Sequence, residues 1–254
     1  MLHLYHIPRF RSTRVVWLVA ELAQHYALPP ITIHEFRDVA LFRNKKEDWF
    51  LELNPNGKIP VFVDETKTLW EGGAIVLSLL DTLDKDKKLL TDEQRDLFYQ
   101  LAFYCAGTVD NLSAASSPIQ RAVMAHADGA PASMDPTVDP VRKTAWAEIV
   151  APFLEGVIAR TDGAHLAGPD FSAADLFVGL TLFAVDERMS LRGAGSSWID
   201  AAKTPRLRTL ADLLQARPAR AFAFEATLNR PESLALHSEF GIVDWIPATK
   251  PFFS

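Results

Sequence analysis

The stretch that decides the fold runs from Asn54 to Ile75 and reads NPNGKIPVFVDETKTLWEGGAI. Two runs of β-forming residues, Ile59–Val63 and Thr68–Trp70, flank a short polar turn, which is the pattern of a β-hairpin. A Glu-Gly-Gly sequence follows the hairpin and leads into the apolar segment Ala74–Leu83. The sequence therefore predicts a strand, a turn, a second strand and then a helix.

Pro60 opens the first strand of this hairpin. The bond before a proline is the one peptide bond for which the cis form costs little. A cis bond here would turn the backbone N–H and C=O of Ile59 outward, where the backbone of a ligand could pair with them. Glu71 and Gly72 stand where the helix begins, and free N–H groups at a helix N-terminus favour a carboxylate. We therefore predict a site for a short acidic peptide.

The runs NPNGKIPVF and WEGGAI resemble the glutathione site of the glutathione S-transferase superfamily. The usual pattern there is NPxGKVPxL, followed by a Glu-Ser pair and an Ala-Ile helix start. The resemblance implies a thioredoxin-like domain with a cis-proline, and glutathione as co-substrate. The residues that it implies for glutathione binding are Asn54, Lys58, Ile59, Pro60, Glu71 and Gly72.

Each of these positions has an implied role in binding one part of glutathione. Asn54 and Lys58 are candidates for the glycine end, although a solvated lysine is a simple alternative for Lys58. Ile59 would offer its backbone, and Glu71 would bind the amino group of the γ-glutamyl end. Gly72 would bind the γ-glutamyl carboxylate by its N–H, but the family usually has Ser there, so the hydroxyl contact is missing.

Composition excludes several classes of protein. The 254 residues are 48% hydrophobic with a net charge of −6, which disfavours disorder, nucleic acid as a main partner and a polybasic membrane surface. No apolar run reaches the ~18 residues of a membrane-spanning helix, and no secretory signal is visible at the N-terminus. Cys105 is the single cysteine, so neither a disulfide within the chain nor dithiol chemistry is expected. The histidines have no metal-ligand spacing. We expect a cytoplasmic protein without a metal.

The order of elements predicts two domains. Periodicity gives the strand Leu2–His6, the helix Thr13–Tyr26, the strand Ile31–Phe36, the helix Leu41–Leu53, the hairpin and the helix Gly73–Leu83. This is the arrangement of the α/β thioredoxin-like N-terminal domain that the resemblance implies, over residues 1–84. Beyond a charged linker no further strand is predicted, so residues 92–254 are expected to form an all-α C-terminal domain. Its tail, from Thr227, is expected to fold over the site or to cap the helical domain.

Two segments of the second domain are singled out. Ser172 and Asp175 form a short capping box at the start of a helix, with a structural role. Residues 113–140 are rich in Ser, Ala, Pro and Asp without a clear period, so a long loop is expected there.

The reaction of the family is attack by the glutathione thiolate on an electrophile, so lowering a thiol pKa of about 8.5 is most of the catalytic task. The resemblance places the hydrogen-bond donor in the loop after the first strand, where the usual Ser, Thr or Cys position falls on Arg9. An Arg-Ser-x-Arg run of some fungal and bacterial transferases resembles Arg11-Ser12-Thr13-Arg14. Three alternatives remain: Ser12 donates, Arg9 or Arg11 acts as a cation, or the helix dipole acts alone. Ser12 as an ordinary N-cap and the arginines as solvated charges are the structural alternatives.

The electrophile site is expected in an apolar cleft between the domains, with Phe10, Phe103 and Tyr104 as candidate lining residues. We therefore predict a homodimeric detoxification enzyme that conjugates glutathione to small hydrophobic electrophiles or reduces peroxides with it. Arg9 in the donor position and Gly72 in the ligand position favour an alternative, a non-catalytic glutathione-binding or scaffold module of the same fold. A third possibility is a lyase or isomerase that uses glutathione as cofactor.

Overall fold

The computed structural model describes residues 1–38, 42, 46–110, 138–161, 163–187 and 197–250. The chain forms two compact units. The first unit contains Met1–Asp92 together with Gln215–Ser254, and the second unit contains Glu93–Leu214.

Five strands and nine α-helices organise the described residues. The strands are β1 (Leu2–His6), β2 (Ile31–Glu35), β3 (Val61–Val63), β4 (Thr68–Trp70) and β5 (Ile242–Pro247). The helices are α1 (Thr13–Ala23), α2 (Asp48–Leu53), α3 (Gly72–Leu83), α4 (Arg95–Tyr104), α5 (Val138–Ala145), α6 (Ala151–Arg160), α7 (Ala173–Val185), α8 (Pro205–Gln215) and α9 (Pro218–Glu225). A π-helical turn, Cys105–Val109, extends α4, and another, Trp146–Val150, joins α5 to α6.

The first unit is built on one mixed sheet with the strand order β4-β3-β1-β2-β5. Strand β1 is parallel to β2 and antiparallel to β3, and β3 is antiparallel to β4. A core cluster of Tyr5, Phe50, Val61 and Val63 joins the sheet to α2. Helix α1 packs against α3 and α9, and its residues from Thr13 to Leu22 are all buried. The thioredoxin-like prediction is confirmed. The predicted hairpin is present, but its first strand begins at Val61 rather than at Ile59.

The C-terminal tail belongs to the sheet of the first unit, which the sequence did not indicate. Strand β5 pairs in parallel with β2, with the partners Ile33 and Trp245 in register. The sequence predicted residues 92–254 as one all-helical domain, whereas the compact unit of helices ends at Leu214. The physical reason is that β2 would otherwise present an edge of unpaired N–H and C=O groups, and β5 covers that edge.

The second unit is helical in the residues described, as the sequence predicted for the C-terminal domain. Helix α7 is buried over its whole length. The predicted capping box is present, since the Ser172 N–H donates to Asp175 Oδ2 over 2.8 Å. The other Asp175 oxygen accepts from the Leu166 N–H over 2.9 Å, so this carboxylate also fixes the preceding loop. Most of the predicted loop 113–140 lies outside the described residues, and its last residues begin α5.

Candidate functional site

The strand register brings three segments of the predicted site together at one end of the strands, which we call the site edge of the sheet. Tyr5 near the end of β1 pairs with Val61 at the start of β3, and Val61 pairs with Trp70 at the end of β4. The loop after β1, the Ile59–Pro60 segment before β3 and Glu71 after β4 are therefore neighbours. The sequence separates these segments by up to 60 residues or so, and the sheet joins them.

Pro60 lies close to the start of α3. The Ile59–Pro60 bond is cis, as the sequence predicted. A Cβ atom added to Gly72 would lie 3.6 Å from Pro60 Cγ, which is an ordinary van der Waals distance. The start of α3 thus lies close to the proline ring, with room at Gly72 for a small side chain.

Two candidate residues have unusual backbone conformations. In the described part of the chain, three non-glycine residues have positive φ: Arg9 at 62°, Glu71 at 72° and Lys87 at 53°. This region costs a non-glycine residue about 1–3 kcal/mol and is enriched at functional sites. Two of the three residues, Arg9 and Glu71, flank the site edge of the sheet. Glu71 is exposed and directly precedes α3.

Asn54 has a structural contact that the sequence analysis did not predict. Its side chain is buried, and its Nδ2 donates to the Lys58 carbonyl over 2.7 Å. Its Oδ1 accepts from the Asn56 N–H over 3.0 Å. The Asn54 amide therefore holds the loop that carries Lys58 to the strand, while Lys58 itself is exposed. The binding roles of both residues stay predictions.

Ser12 is engaged inside the loop after β1. Its residue is fully buried, and its Oγ lies 2.9 Å from His6 Nδ1 and 3.1 Å from both the N and the O of Ile7. Its side chain makes no N-cap bond to α1, so it is not the ordinary cap that was one alternative. Burial lowers the pKa of His6 to about 3, which keeps the imidazole neutral. These bonds leave the Ser12 hydroxyl occupied in fixing the loop.

Arg9 is bound to the end of α9. Its Nε donates to the Phe224 carbonyl over 3.1 Å, and its Nη2 donates to Glu225 Oε1 over 2.7 Å. Glu225 also accepts from Arg230. Partial burial raises the pKa of Glu225, but hydrogen bonds and charges from Arg230 and Arg9 outweigh burial, so this pKa lies below its ordinary value. The sequence alone gives no sign of Glu225, because it lies 216 residues from Arg9 and no local pattern links them.

The remaining predicted residues lie in different parts of the molecule. Arg11 is exposed and Phe10 half-buried in the loop of the first unit. Phe103, 71% exposed, and Tyr104 lie at the end of α4 in the second unit, where the Tyr104 ring is 4.7 Å from that of Phe153. Their role in an electrophile pocket stays a prediction. Within the described ranges, no three His, Cys, Asp or Glu side chains are grouped to hold a metal ion. Nor does any helix in those ranges have the length and apolarity needed to cross a membrane.

The chain has a thioredoxin-like sheet, a cis-proline next to β3 and a separate helical unit. It therefore belongs to the class of thioredoxin-fold proteins that carry a helical domain. Residues 1–79 match the family model "Glutathione S-transferase, N-terminal domain". The family match over the N-terminal domain, the curated relatives and the fold support the resemblance to the glutathione S-transferase superfamily that the sequence indicated.

The similarity to individual proteins is modest. The chain is 36% identical over 83 residues to the glutathione S-transferase-like protein OpS6 of Beauveria bassiana, covering 32% of this chain and 35% of that relative. It therefore spans only about a third of that relative's length. A glutathione transferase homolog from Lodderomyces elongisporus, crystallised with two GSH per subunit, has a TM-score of 0.66 at 24% identity, covering 88% of this chain and 97% of that one. Ure2p5 from Phanerochaete chrysosporium, cocrystallised with 1-(S-glutathionyl)-2,4-dinitrobenzene, has a TM-score of 0.65 at 20% identity, covering 92% and 96%.

Proposed function

We propose that the protein binds glutathione at the site edge of its sheet and transfers the glutathione thiolate to small hydrophobic electrophiles, or reduces peroxides with it. The observation that carries this proposal is the meeting of three segments, the loop after β1, Ile59–Pro60 and Glu71–Gly72, at that edge. The neighbours of similar fold that were crystallised with glutathione or a glutathione conjugate support the same ligand.

Binding uses backbone groups and two charged side chains. Ile59, outside the β3 ladder, offers its backbone to the peptide, and the N–H of Gly72 at the start of α3 takes the γ-glutamyl carboxylate. Glu71 takes the γ-glutamyl amino group, and its positive φ of 72° is the strain expected at such a position. Lys58, which is exposed, takes the carboxylate at the glycine end.

Activation of the thiol falls to the arginines and the N-terminus of α1. The buried Ser12 hydroxyl is occupied by His6 and Ile7, which argues against Ser12 as the donor. Arg9 has a side chain 41% exposed, and an opposite charge within about 4–6 Å lowers a thiol pKa by about 1–3 units. Arg11 is the second candidate cation, and the dipole of α1 adds to either.

A non-catalytic glutathione-binding module is the second candidate function. The observation that favours it is the pairing of Arg9 with Glu225, which offsets part of the positive charge that would stabilise a thiolate. Gly72 also lacks the hydroxyl that the family usually offers to the ligand. Binding without turnover would support this alternative.

A homodimer in the cytoplasm completes the proposal. Trp70 lies on the edge strand β4 and is 48% exposed, which suits a surface covered by a second copy. A single cysteine suits a reducing compartment. Analytical ultracentrifugation of the wild type and of Trp70→Ser would test the dimer, since loss of the dimer in the variant alone is expected.

The deciding experiment is a titration of bound glutathione, followed by the ultraviolet absorbance of its thiolate. We expect the wild type to lower the thiol pKa below about 8.5. Arg9→Ala should lose that shift and Ser12→Ala should keep it. Failure of the wild type to bind glutathione, by calorimetry and on an affinity column, would contradict the proposal. Binding with an unshifted thiol pKa and no turnover would favour the non-catalytic module.

A further inference from the structure

The guanidinium of Arg9 is fixed at two of its three nitrogens. Nε donates to the Phe224 carbonyl and Nη2 donates to Glu225 Oε1, at 3.1 and 2.7 Å. For Nη1 no acceptor occurs within the described residues. Two fixed nitrogens determine the plane of a guanidinium, so the third nitrogen keeps its two N–H donors in a defined place.

The anchor of Arg9 is the C-terminal end of α9. Phe224 and Glu225 are the last two residues of that helix, whose final carbonyls carry the negative end of the helix dipole. A cation is favoured there, whereas a carboxylate such as that of Glu225 is not. Glu225 is held in place by Arg230, whose Nη2 also donates to the Glu225 carbonyl over 2.9 Å.

The side chains of Arg9, Arg230 and Glu225 together have a net positive charge. Arg9 and Arg230 are two cations, and Glu225 is the one anion that both contact, so the three side chains have one formal positive charge between them. Arg9 itself lies in the loop that follows β1, which is one of the three segments of the proposed glutathione site. A fixed cation costs less to orient around an anion than a mobile one, because its side-chain entropy is already lost.

We propose that Glu225 is a positioning residue, which holds Arg9 so that its Nη1 stabilises the thiolate of bound glutathione. This inference rests on the proposed function and extends it to α9, a helix that lies more than two hundred residues away in sequence. Arg9 is then the residue that touches the ligand, and Glu225 acts only through Arg9.

The experiment measures the thiol pKa of bound glutathione in matched variants. Glu225→Gln keeps an acceptor for Arg9 but removes the charge, whereas Glu225→Ala removes both. Glu232→Gln is the control, because Glu232 is exposed on the same tail. Arg9→Lys keeps the charge but replaces the planar guanidinium by a compact ammonium, which has no third nitrogen held in place by the two anchoring bonds. Thermal unfolding by circular dichroism establishes that each variant is folded.

Positioning and simple charge compensation predict opposite changes in the thiol pKa of bound glutathione when Glu225 is replaced by Ala. If Glu225 positions Arg9, Glu225→Ala should raise the thiol pKa by about 1 unit, to the value of Arg9→Ala, and thus reduce the thiolate fraction about tenfold near neutral pH. Glu225→Gln should restore the wild-type pKa or lower it, and Glu232→Gln should leave it unchanged. If Glu225 only offsets charge, Glu225→Ala should lower the thiol pKa, and that result overturns the inference.

The other outcomes are also decisive. If Glu225→Ala does not fold, Arg9→Lys decides, because positioning predicts a raised thiol pKa and charge alone predicts the wild-type value. A wild type that binds glutathione without shifting its thiol pKa overturns this inference but not glutathione binding. A wild type that binds no glutathione overturns the proposed function, and the inference fails with it.

Discussion

Lowering the pH from 7.5 to 5 should destabilise the first unit by about 4 kcal/mol, because two buried imidazoles are neutral in the folded state. His6 and His34 are both buried, on β1 and β2. Burial lowers the pKa of His6 to about 3. Burial, with a smaller effect from His3, lowers the pKa of His34 to about 4.

The sign and the size follow from proton linkage. An unfolded histidine has a pKa of about 6.5, so between pH 6.5 and the folded pKa the unfolded chain binds more protons and unfolding is favoured as the pH falls. The stability that the two neutral imidazoles contribute is fully present above about pH 6.5 and is lost as the pH falls towards about 3–4. At pH 5 each histidine contributes about 2 kcal/mol to the loss, which together is a large part of a typical total of about 5–15 kcal/mol.

Urea unfolding followed by tryptophan fluorescence at both pH values measures the loss. His6→Asn is the informative variant, because an amide still offers Ser12 a polar partner but does not gain a proton. This variant should be less stable at pH 7.5 but should lose about 2 kcal/mol less than the wild type on acidification. His25→Asn is the control, since His25 is exposed and should change neither value.

If the free energy of unfolding changed equally with pH in the wild type and in His6→Asn, that result would refute this reasoning. It would mean that His6 is protonated in the folded state or that water reaches its ring. A wild-type midpoint that does not move between the two pH values would refute it for both histidines.

Substitutions at three other positions have definite expected results. Gly72→Ser should raise the affinity for glutathione about five- to tenfold by calorimetry, since the new Cβ has ordinary contact with Pro60 and the hydroxyl adds about one hydrogen bond; weaker binding would contradict the proposed carboxylate position. Glu35→Ala should lower the free energy of unfolding in urea by about 3–5 kcal/mol, because Thr227, Leu228 and Trp245 donate to this buried carboxylate. Glu35→Gln keeps an acceptor and should lower it by only about 1–2 kcal/mol. Ser12→Ala should cost about 1–3 kcal/mol in the same assay, and a shifted thiol pKa in this variant would show that Ser12 reaches the ligand after all.

The parts of the fold that the sequence predicted are those with local determinants. The hairpin, Pro60 and the start of α3 lie within some twenty residues, so turn composition, proline chemistry and helical spacing describe them together. The capping box of α7 is local in the same way, because Ser172 and Asp175 are three residues apart. These features need no knowledge of distant partners.

Strand β5 could not be predicted because its burial pattern is not that of a regular strand. Ile242 and Trp245 are buried, while Val243 and Asp244 between them are exposed. The pairing of β5 with β2 also shifts register next to Ile31. An irregular strand of this kind loses the alternation on which sequence interpretation depends.

The sequence indicated the segments of the proposed site but not the contacts that their side chains make. The resemblance indicated the loop after β1, and Ser12 and Arg9 both lie in it. Their contacts depend on His6, Phe224 and Glu225, and the last two are supplied by α9 from the far end of the sequence. Because each side chain takes its role from those contacts, the residue types alone left the alternatives open.

The place of β5 in the sheet has a consequence for biosynthesis. Trp245 follows its partner Glu35 by 210 residues, so the ribosome must translate the whole helical unit before the sheet can close. At roughly 5–20 residues per second, the β2 edge waits about 10–40 s. During that interval the nascent chain exposes an open strand edge, the kind of surface that promotes aggregation. Chaperone supply and translation speed should therefore affect the yield of folded protein.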